Sequence, residues 1–214
     1  MSVAAVIPAY NEEKTIGDVI RALIPVKIVD EIIVVSDGST DNTVSVAKSF
    51  EVRVVELPQN LGKGAAVLAG VKSTSADVIL LMDADLIGLK EEHIYGLLTP
   101  VLNGDVDMTI GIFKNGRGAT DLAQKITPFL SGQRAVKRKL FDRLEKYKVK
   151  DYGLEMALTI MAEREKIKVK QVYLKDLTHV MKEEKRGVIP GFLSRLKMYR
   201  DIIFCVIKLK LEVF

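Results

Sequence analysis

Short apolar runs alternate with segments of helical periodicity through the first half of this 214-residue chain. The runs Val3–Ile7, Glu31–Val35, Val52–Leu57, Val78–Met82 and Val106–Ile112 are rich in Val, Ile and Leu. Between them, Glu13–Leu23, Thr40–Phe50, Gly64–Lys72 and Glu91–Leu102 place apolar residues about one helical turn apart, as Ile16, Val19, Ile20 and Leu23 do. Strands separated by helices of this length build βαβ units and a mainly parallel sheet. Near-continuous apolar strands demand cover on both faces. The predicted fold is α/β, a Rossmann-like three-layer sandwich.

After Ile112 the rhythm breaks. A turn-rich basic loop (Lys114–Gly118) leads to a helical pattern over Asp121–Leu130 and a short strand within Ser131–Arg138. Helical patterns follow at Lys139–Lys146 and Gly153–Glu165, then a strand at Val169–Leu174 and a charged loop at Lys182–Gly187. From Phe192 onward the chain predicts an amphipathic basic helix. With no repeat or low-complexity linker, residues 1–214 are expected to form a single domain.

Charge is unevenly spread. Residues 1–113 carry 16 acidic and 8 basic groups, whereas residues 114–150 carry 3 and 11. The basic segment suits phosphate or another anion. One cysteine, Cys205, leaves no internal disulfide and no multi-thiolate zinc site, in keeping with a reducing cytosol. Without Trp, and with 6% aromatics, the chain is poorly equipped to stack nucleic-acid bases. No signal peptide or spanning helix is expected: the apolar run Ile202–Ile207 is far short of the ~20 residues a span needs.

In an open α/β sheet, ligands bind outside the carboxyl ends of the strands. There the sequence places Pro8-Ala9-Tyr10-Asn11-Glu12, Ser36-Asp37-Gly38-Ser39-Thr40-Asp41, Asn60-Leu61-Gly62-Lys63-Gly64 and Asp83-Ala84-Asp85. Paired carboxylates one residue apart repel unless a cation lies between them. A hard divalent ion, Mg²⁺ or Mn²⁺, shared with substrate phosphates would neutralise a leaving diphosphate. Thr40 or Ser39 is expected to cap the next helix, leaving Asp37 free for a base or ribose. Lys63, between two glycines, can reach a phosphate or base. Neither GxxxxGK[ST] nor GxGxxG is present, which argues against a P-loop triphosphatase and a dinucleotide-dependent dehydrogenase.

These ordered motifs, from Val6-Ile7-Pro8-Ala9-Tyr10-Asn11-Glu12-Glu13 to Met82-Asp83-Ala84-Asp85-Leu86, resemble those of family 2 glycosyltransferases with the GT-A fold. Ser36 departs from the first Asp of many members. The resemblance implies a nucleotide-sugar-binding half at 1–112 and an acceptor-side half at 113–214. It places Pro8, Ala9, Tyr10 and Glu12 around base and ribose, Asp37 on a uracil imide, Lys63 near the base, Asp83 with Ala84 at the ribose, and Asp85 on the metal. Asp83 and a late histidine, His179, are further metal-ligand candidates; His93 is read as structural. Gly132, Gln133 and Arg134 resemble a stretch beside the donor sugar and acceptor, with Arg134 at the reacting end. Gly153 and Glu155 resemble an acceptor-site pattern, with Glu155 or Asp151 as base.

Within the family, the chain resembles both glucosyl-3-phosphoglycerate synthases and polyprenyl-phosphate glycosyltransferases. Either implies an anionic acceptor and a nucleotide-sugar donor, a UDP-sugar being favoured. The expected protein is a cytoplasmic hexosyltransferase, with a peripheral contact to anionic membrane through the terminal helix, or a homodimer, as further expectations. A nucleotidyltransferase or a non-catalytic nucleotide-sugar-binding protein is the alternative of another class.

Overall fold

A computed structural model describes residues 1–114, 131–144 and 153–179. The expected loop beyond Lys114, the 121–130 helix, Asp151, the 182–187 loop and the terminal helix lie outside the described residues.

The first half forms β1 (Val3–Ala9), α1 (Ile16–Leu23), β2 (Glu31–Ser36), α2 (Thr43–Lys48), β3 (Arg53–Glu56), α3 (Lys63–Lys72) and β4 (Val78–Leu81). A two-residue strand β5 (Leu86–Ile87), α4 (Glu91–Leu102) and β6 (Met108–Lys114) follow. Then come β7 (Arg134–Lys137), a 3₁₀ turn at Arg138–Leu140, α5 (Leu154–Arg164), β8 (Val169–Lys175) and β9 (Thr178–His179). The expected helix at 139–146 reduces to that 3₁₀ turn and the turns after it, through residue 144. The proposed boundary at residue 112 falls inside β6, which shares its sheet with β7 and β8.

The main sheet has the order β3-β2-β1-β4-β7-β6-β8, and β5 with β9 forms a separate two-stranded sheet. The pairs β1–β2, β1–β4 and β2–β3 are parallel. Strand β7 runs antiparallel between β4 and β6, and β8 returns parallel to β6. The period of two along β1 decides how the layers assemble. Val3, Ala5, Ile7 and Ala9 join one apolar cluster with Ile16, Val19, Ile20 and Leu23 of α1 and Leu97 and Val101 of α4. Ala4 and Val6 face the opposite cluster, with Ala66, Val67 and Val71 of α3 and Leu154, Leu158 and Met161 of α5. The four α1 residues are no more than 1% exposed. Burying each such side chain stabilises the fold by roughly 1.5–3 kcal/mol.

Residues Met1–Thr178 form one compact unit and His179–Phe214 a second. Among the described residues no helix is long and apolar enough to cross a membrane.

The start of α2 differs from expectation. Neither Ser39 nor Thr40 caps it; the Asp41 carboxylate accepts from the Thr43 N–H at 3.0 Å, from the Thr43 hydroxyl, and from the Glu13 N–H at 3.2 Å. Although burial opposes ionisation of Asp41, these bonds hold its carboxyl below the usual range.

Candidate active site

Parallel β1, β2, β3 and β4 deliver Tyr10, Asp37, the loop before Lys63 and Asp83 to one sheet edge. An antiparallel strand begins where its parallel neighbours end. Because Arg134 of β7 lies opposite Leu81 of β4, Gly132 and Gln133 come to the same edge as Asp83.

The centre is an ammonium between two carboxylates. Lys63 Nζ lies 2.6 Å from Asp83 Oδ1 and 2.7 Å from Glu155 Oε1. Gln133 Nε2 donates to the other Asp83 oxygen at 2.8 Å. Burial disfavours the Lys63 charge, but Asp83 and Glu155 outweigh it and raise the ammonium above its ordinary pKa. The lysine side chain is still 43% exposed, so ligand can approach it. Gly132 closes one wall. A Cβ there would stand 2.6 Å from both Asp83 Oδ1 and Lys63 Nζ, so any larger residue would push these two side chains aside.

Under this cluster lies Arg134, 0% exposed. Its Nε donates to the Ser131 carbonyl at 2.9 Å and one terminal nitrogen donates to Thr159 Oγ1 at 3.2 Å. Thr159 in turn donates to the Glu155 carbonyl at 2.9 Å. Burial brings the guanidinium down to about 10, with Glu155 acting the other way, so it stays charged at neutral pH. Arg134 therefore braces the Ser131–Gln133 turn and the first turn of α5. The expectation that it stands at the reacting end is corrected: a wholly buried side chain cannot meet the acceptor. Thr159 was not singled out by any motif, but its place one turn after Glu155 puts the two on one helix face.

Asp37 is 2% exposed, and its oxygens accept from the Leu61 and Gly62 N–H groups at 2.7 and 2.9 Å. It is not free, as its sequence position suggested; it ties the end of β2 to the loop that launches α3 and Lys63. Gly38 beside it has φ +68°, and a Cβ there would lie 2.5 Å from the Gln59 carbonyl carbon. The two loops thus lock together by close backbone contact. Tyr10 is 40% exposed and Pro8 half-buried, both at the open edge. Glu12 is held by its N–H to Thr43 Oγ1 at 2.8 Å, and its carboxylate accepts from Thr15 at 3.2 Å.

The remaining candidates are placed as follows. The side chains of Ala9 and Ala84 are buried in the apolar core, which leaves their backbone as the part that can face a ligand. Asp83, expected at the ribose and at a metal, has its oxygens engaged by Lys63 and Gln133; a cation there would have to displace Lys63. Gly153 precedes α5 at φ +73° and sets the entry of Glu155 into the helix. Asp85 is half-buried beyond the end of β4. His179 ends β9 and opens the second unit. His93 is structural, as expected: it accepts from the Lys90 N–H at 3.2 Å, and its Nε2 lies 2.9 Å from the Lys175 carbonyl.

Among the described residues no group of three or more His, Cys, Asp and Glu side chains is arranged as a metal cage. Carboxylate oxygens at Asp85 nonetheless suit a hard divalent cation that takes its other ligands from a diphosphate and water.

Acidic loops, an ammonium and glycine-lined backbone at the carboxyl edge of a mostly parallel sheet define the class: an α/β fold with a charged site where such sheets bind their ligands. The chain belongs to glycosyl transferase family 2, whose sequence profile matches residues 4–164. It is 31% identical to glucosyl-3-phosphoglycerate synthase of Mycobacterium tuberculosis, over 74% of this chain and 60% of that protein. Dodecaprenyl-phosphate galacturonate synthase of Rhizobium johnstonii is 27% identical, over 74% of this chain and 47% of that protein. The chain thus spans only about half to 60% of the length of these relatives. A crystal structure of the M. tuberculosis synthase with Mn²⁺, UDP-glucose and phosphoglyceric acid superposes with a TM-score of 0.66 at 28% identity, covering 91% of this chain and 79% of that one.

Proposed function

We propose that this chain transfers a hexosyl group from a UDP-sugar, with UDP-glucose the first candidate, to a small phosphorylated hydroxy acid of the phosphoglycerate kind. The observation that carries this reading is the Lys63 ammonium held between Asp83 and Glu155, in a chain similar to a synthase crystallised with that donor and acceptor.

Carboxylates and an ammonium at hydrogen-bonding distance are suited to grip sugar hydroxyls: Asp83 and Glu155 accept, and Lys63 donates. The base end is assigned to Pro8, Tyr10 and Glu12, beside the loop that Asp37 holds. In the reaction the bond from the anomeric carbon to the diphosphate oxygen breaks, UDP leaves, and the acceptor hydroxyl oxygen bonds that carbon. The hydroxyl proton must go to a base. Glu155, in the first turn of α5, is the described residue suited to take it if the product is inverted; in a retained product it orients the acceptor. A divalent cation held by Asp85 and the diphosphate would supply Lewis-acid neutralisation of the leaving group.

A polyprenyl phosphate is the second acceptor reading, favoured by the similarity to dodecaprenyl-phosphate galacturonate synthase. The test is one set of reactions with UDP-glucose and Mn²⁺, offered 3-phosphoglycerate, a short polyprenyl phosphate or no acceptor, followed by nuclear magnetic resonance. UDP release that depends on 3-phosphoglycerate, with a new anomeric signal, supports the first reading, and the signal's coupling reports the stereochemistry. Transfer only to the polyprenyl phosphate replaces it with the second. Consumption of pyrophosphate instead would mean a nucleotidyltransferase, and tight binding without turnover a binding protein. Asp85→Asn should weaken Mn²⁺-dependent UDP binding at least about tenfold, because a charged oxygen ligand is lost. Unchanged calorimetric affinity would remove Asp85 from the site.

A further inference from the structure

We infer that Gln133 is a positioning residue that acts through Asp83: it holds one oxygen of that carboxylate so that the other, beside Lys63, is presented to the donor. The inference rests on the reading that Asp83 grips a sugar hydroxyl. Gln133 is 1% exposed and Ser131 3%, whereas the Asp83 side chain is 24% exposed. Ligand can therefore reach the carboxylate and not the amide behind it.

The surroundings of Gln133 allow its amide one orientation. Its backbone is tied to β6, where the Gly111 N–H donates to the Gln133 carbonyl at 2.8 Å. A Cβ on Gly111 would stand 2.5 Å from Leu174 Cδ1 and 3.1 Å from Gln133 Cβ, so a side chain there would press both out of place. The Ser131 hydroxyl accepts from the Gln133 N–H at 3.3 Å and gives its own proton to Gln133 Oε1 at 3.0 Å. Arg134 Nε holds the Ser131 carbonyl, so the turn that carries this hydroxyl is itself fixed. With Oε1 engaged, Nε2 is the end that faces Asp83, and it donates to Oδ2 at 2.8 Å. The reverse orientation would set an amide oxygen against a carboxylate, two acceptors with no proton between them.

This relay decides what Asp83 offers. A carboxylate beside an ammonium can rotate and turn either oxygen to it. With Oδ2 held by Gln133, the plane is set and Oδ1 meets Lys63 at 2.6 Å. A binding group already locked by buried neighbours loses little further freedom when the ligand arrives.

Calorimetric titration of the full chain with UDP-glucose and Mn²⁺, without acceptor, reads this before any transfer. Asp83→Ala sets the scale and should weaken binding at least about tenfold. Gln133→Leu keeps the bulk, removes the amide, and should weaken binding about tenfold as well. Ser131→Ala, which frees the amide to turn over while leaving it in place, should weaken binding in the same direction, and Ser131→Thr, which keeps the hydroxyl, should bind as the parent does. The decisive variant is the double one. With the Asp83 carboxylate gone, Gln133→Leu should cost no further affinity, whereas a general loosening of the fold would add in full. Parent-like affinity in both Gln133→Leu and Ser131→Ala, or full additivity with Asp83→Ala, overturns the inference and leaves the sugar-gripping reading intact. If Asp83→Ala itself binds UDP-glucose like the parent, or the parent does not bind it, that reading falls and takes the inference with it.

Discussion

Lys63 is the residue on which the site turns. Removing its ammonium leaves Asp83 and Glu155 facing one another without the cation that reconciles them. Lys63→Met is predicted to lower kcat/KM by about 100-fold or more, the scale of losing a preorganised charged group. Lys63→Arg should not rescue it, since a planar fork does not fit the place of a point charge. The sign of its pH dependence follows from its raised pKa. The ammonium's contribution is complete below the ordinary lysine value of 10.5 and fades only as pH rises through the higher folded value. A basic limb of the pH–rate profile below about pH 9 would therefore have to come from another group. Asp37 makes a different demand. In Asp37→Asn one of the Leu61 and Gly62 N–H groups loses its acceptor and meets an amide donor. An unmade buried hydrogen bond costs about 1–3 kcal/mol. Tm should fall by roughly 2–4 °C per kcal/mol, measured by calorimetry, and the loop carrying Lys63 should loosen, raising KM for the donor.

At the scale of elements, what the sequence announced and what it hid separate by how local the cause is. α4 has its expected bounds, Glu91–Leu102, because its apolar spacing is its own. β1 and α1 also formed, although α1 begins at Ile16, three residues later than the pattern suggested. The antiparallel insertion of β7 between β4 and β6 could not be read locally, since pairing direction depends on distant partners. The same limit explains the site. Asp83, Lys63 and Glu155 were all legible as candidates, but their union around one ammonium depends on β7 and α5 returning to the edge. Arg134 was legible as a residue and misplaced in role, because exposure is a tertiary property. The tie between α4 and β8 carries a prediction of its own. His93 Nδ1 accepts from the Lys90 N–H, and Nε2 donates to the Lys175 carbonyl, which fixes the neutral ring. Burial, partly opposed by the Lys175 carbonyl, holds its pKa below the ordinary 6.5. The unfolded chain takes up that proton first, so the stabilising contribution is full above pH 6.5 and is lost as pH falls through the folded value. Tm should hold level from pH 8 to 7 and drop below 6.5, and His93→Gln should flatten that drop. An unchanged acid slope in the variant would assign it to carboxylates instead.

In the compact unit Met1–Thr178, two apolar clusters on opposite faces share β1. Ala5 and Ile7 belong to one and Ala4 and Val6 to the other, so neither cluster can open without exposing the strand common to both. The catalytic proposal relies on this. Lys63 comes from α3 and Glu155 from α5, both on one face, whereas Asp83 leaves the shared sheet. The prediction is cooperative unfolding with independent lesions. Ile20→Ala empties space in the α1 cluster, and Leu158→Ala does so in the α5 cluster. Each should cost about 2–5 kcal/mol, the usual range for such truncations. With the sheet between them and no shared partner, their costs should add to within about 0.5 kcal/mol in the double variant. Native-state hydrogen exchange reads this at the strand itself. Amides of Val3–Ala9 should lose protection by the same free energy in either single variant, and by the sum in the double. If the β1 amides respond to Ile20→Ala and not to Leu158→Ala, the two faces open separately. Lys63 and Glu155 could then part from Asp83 without global unfolding, and the site would rest on a weaker frame than one shared sheet provides.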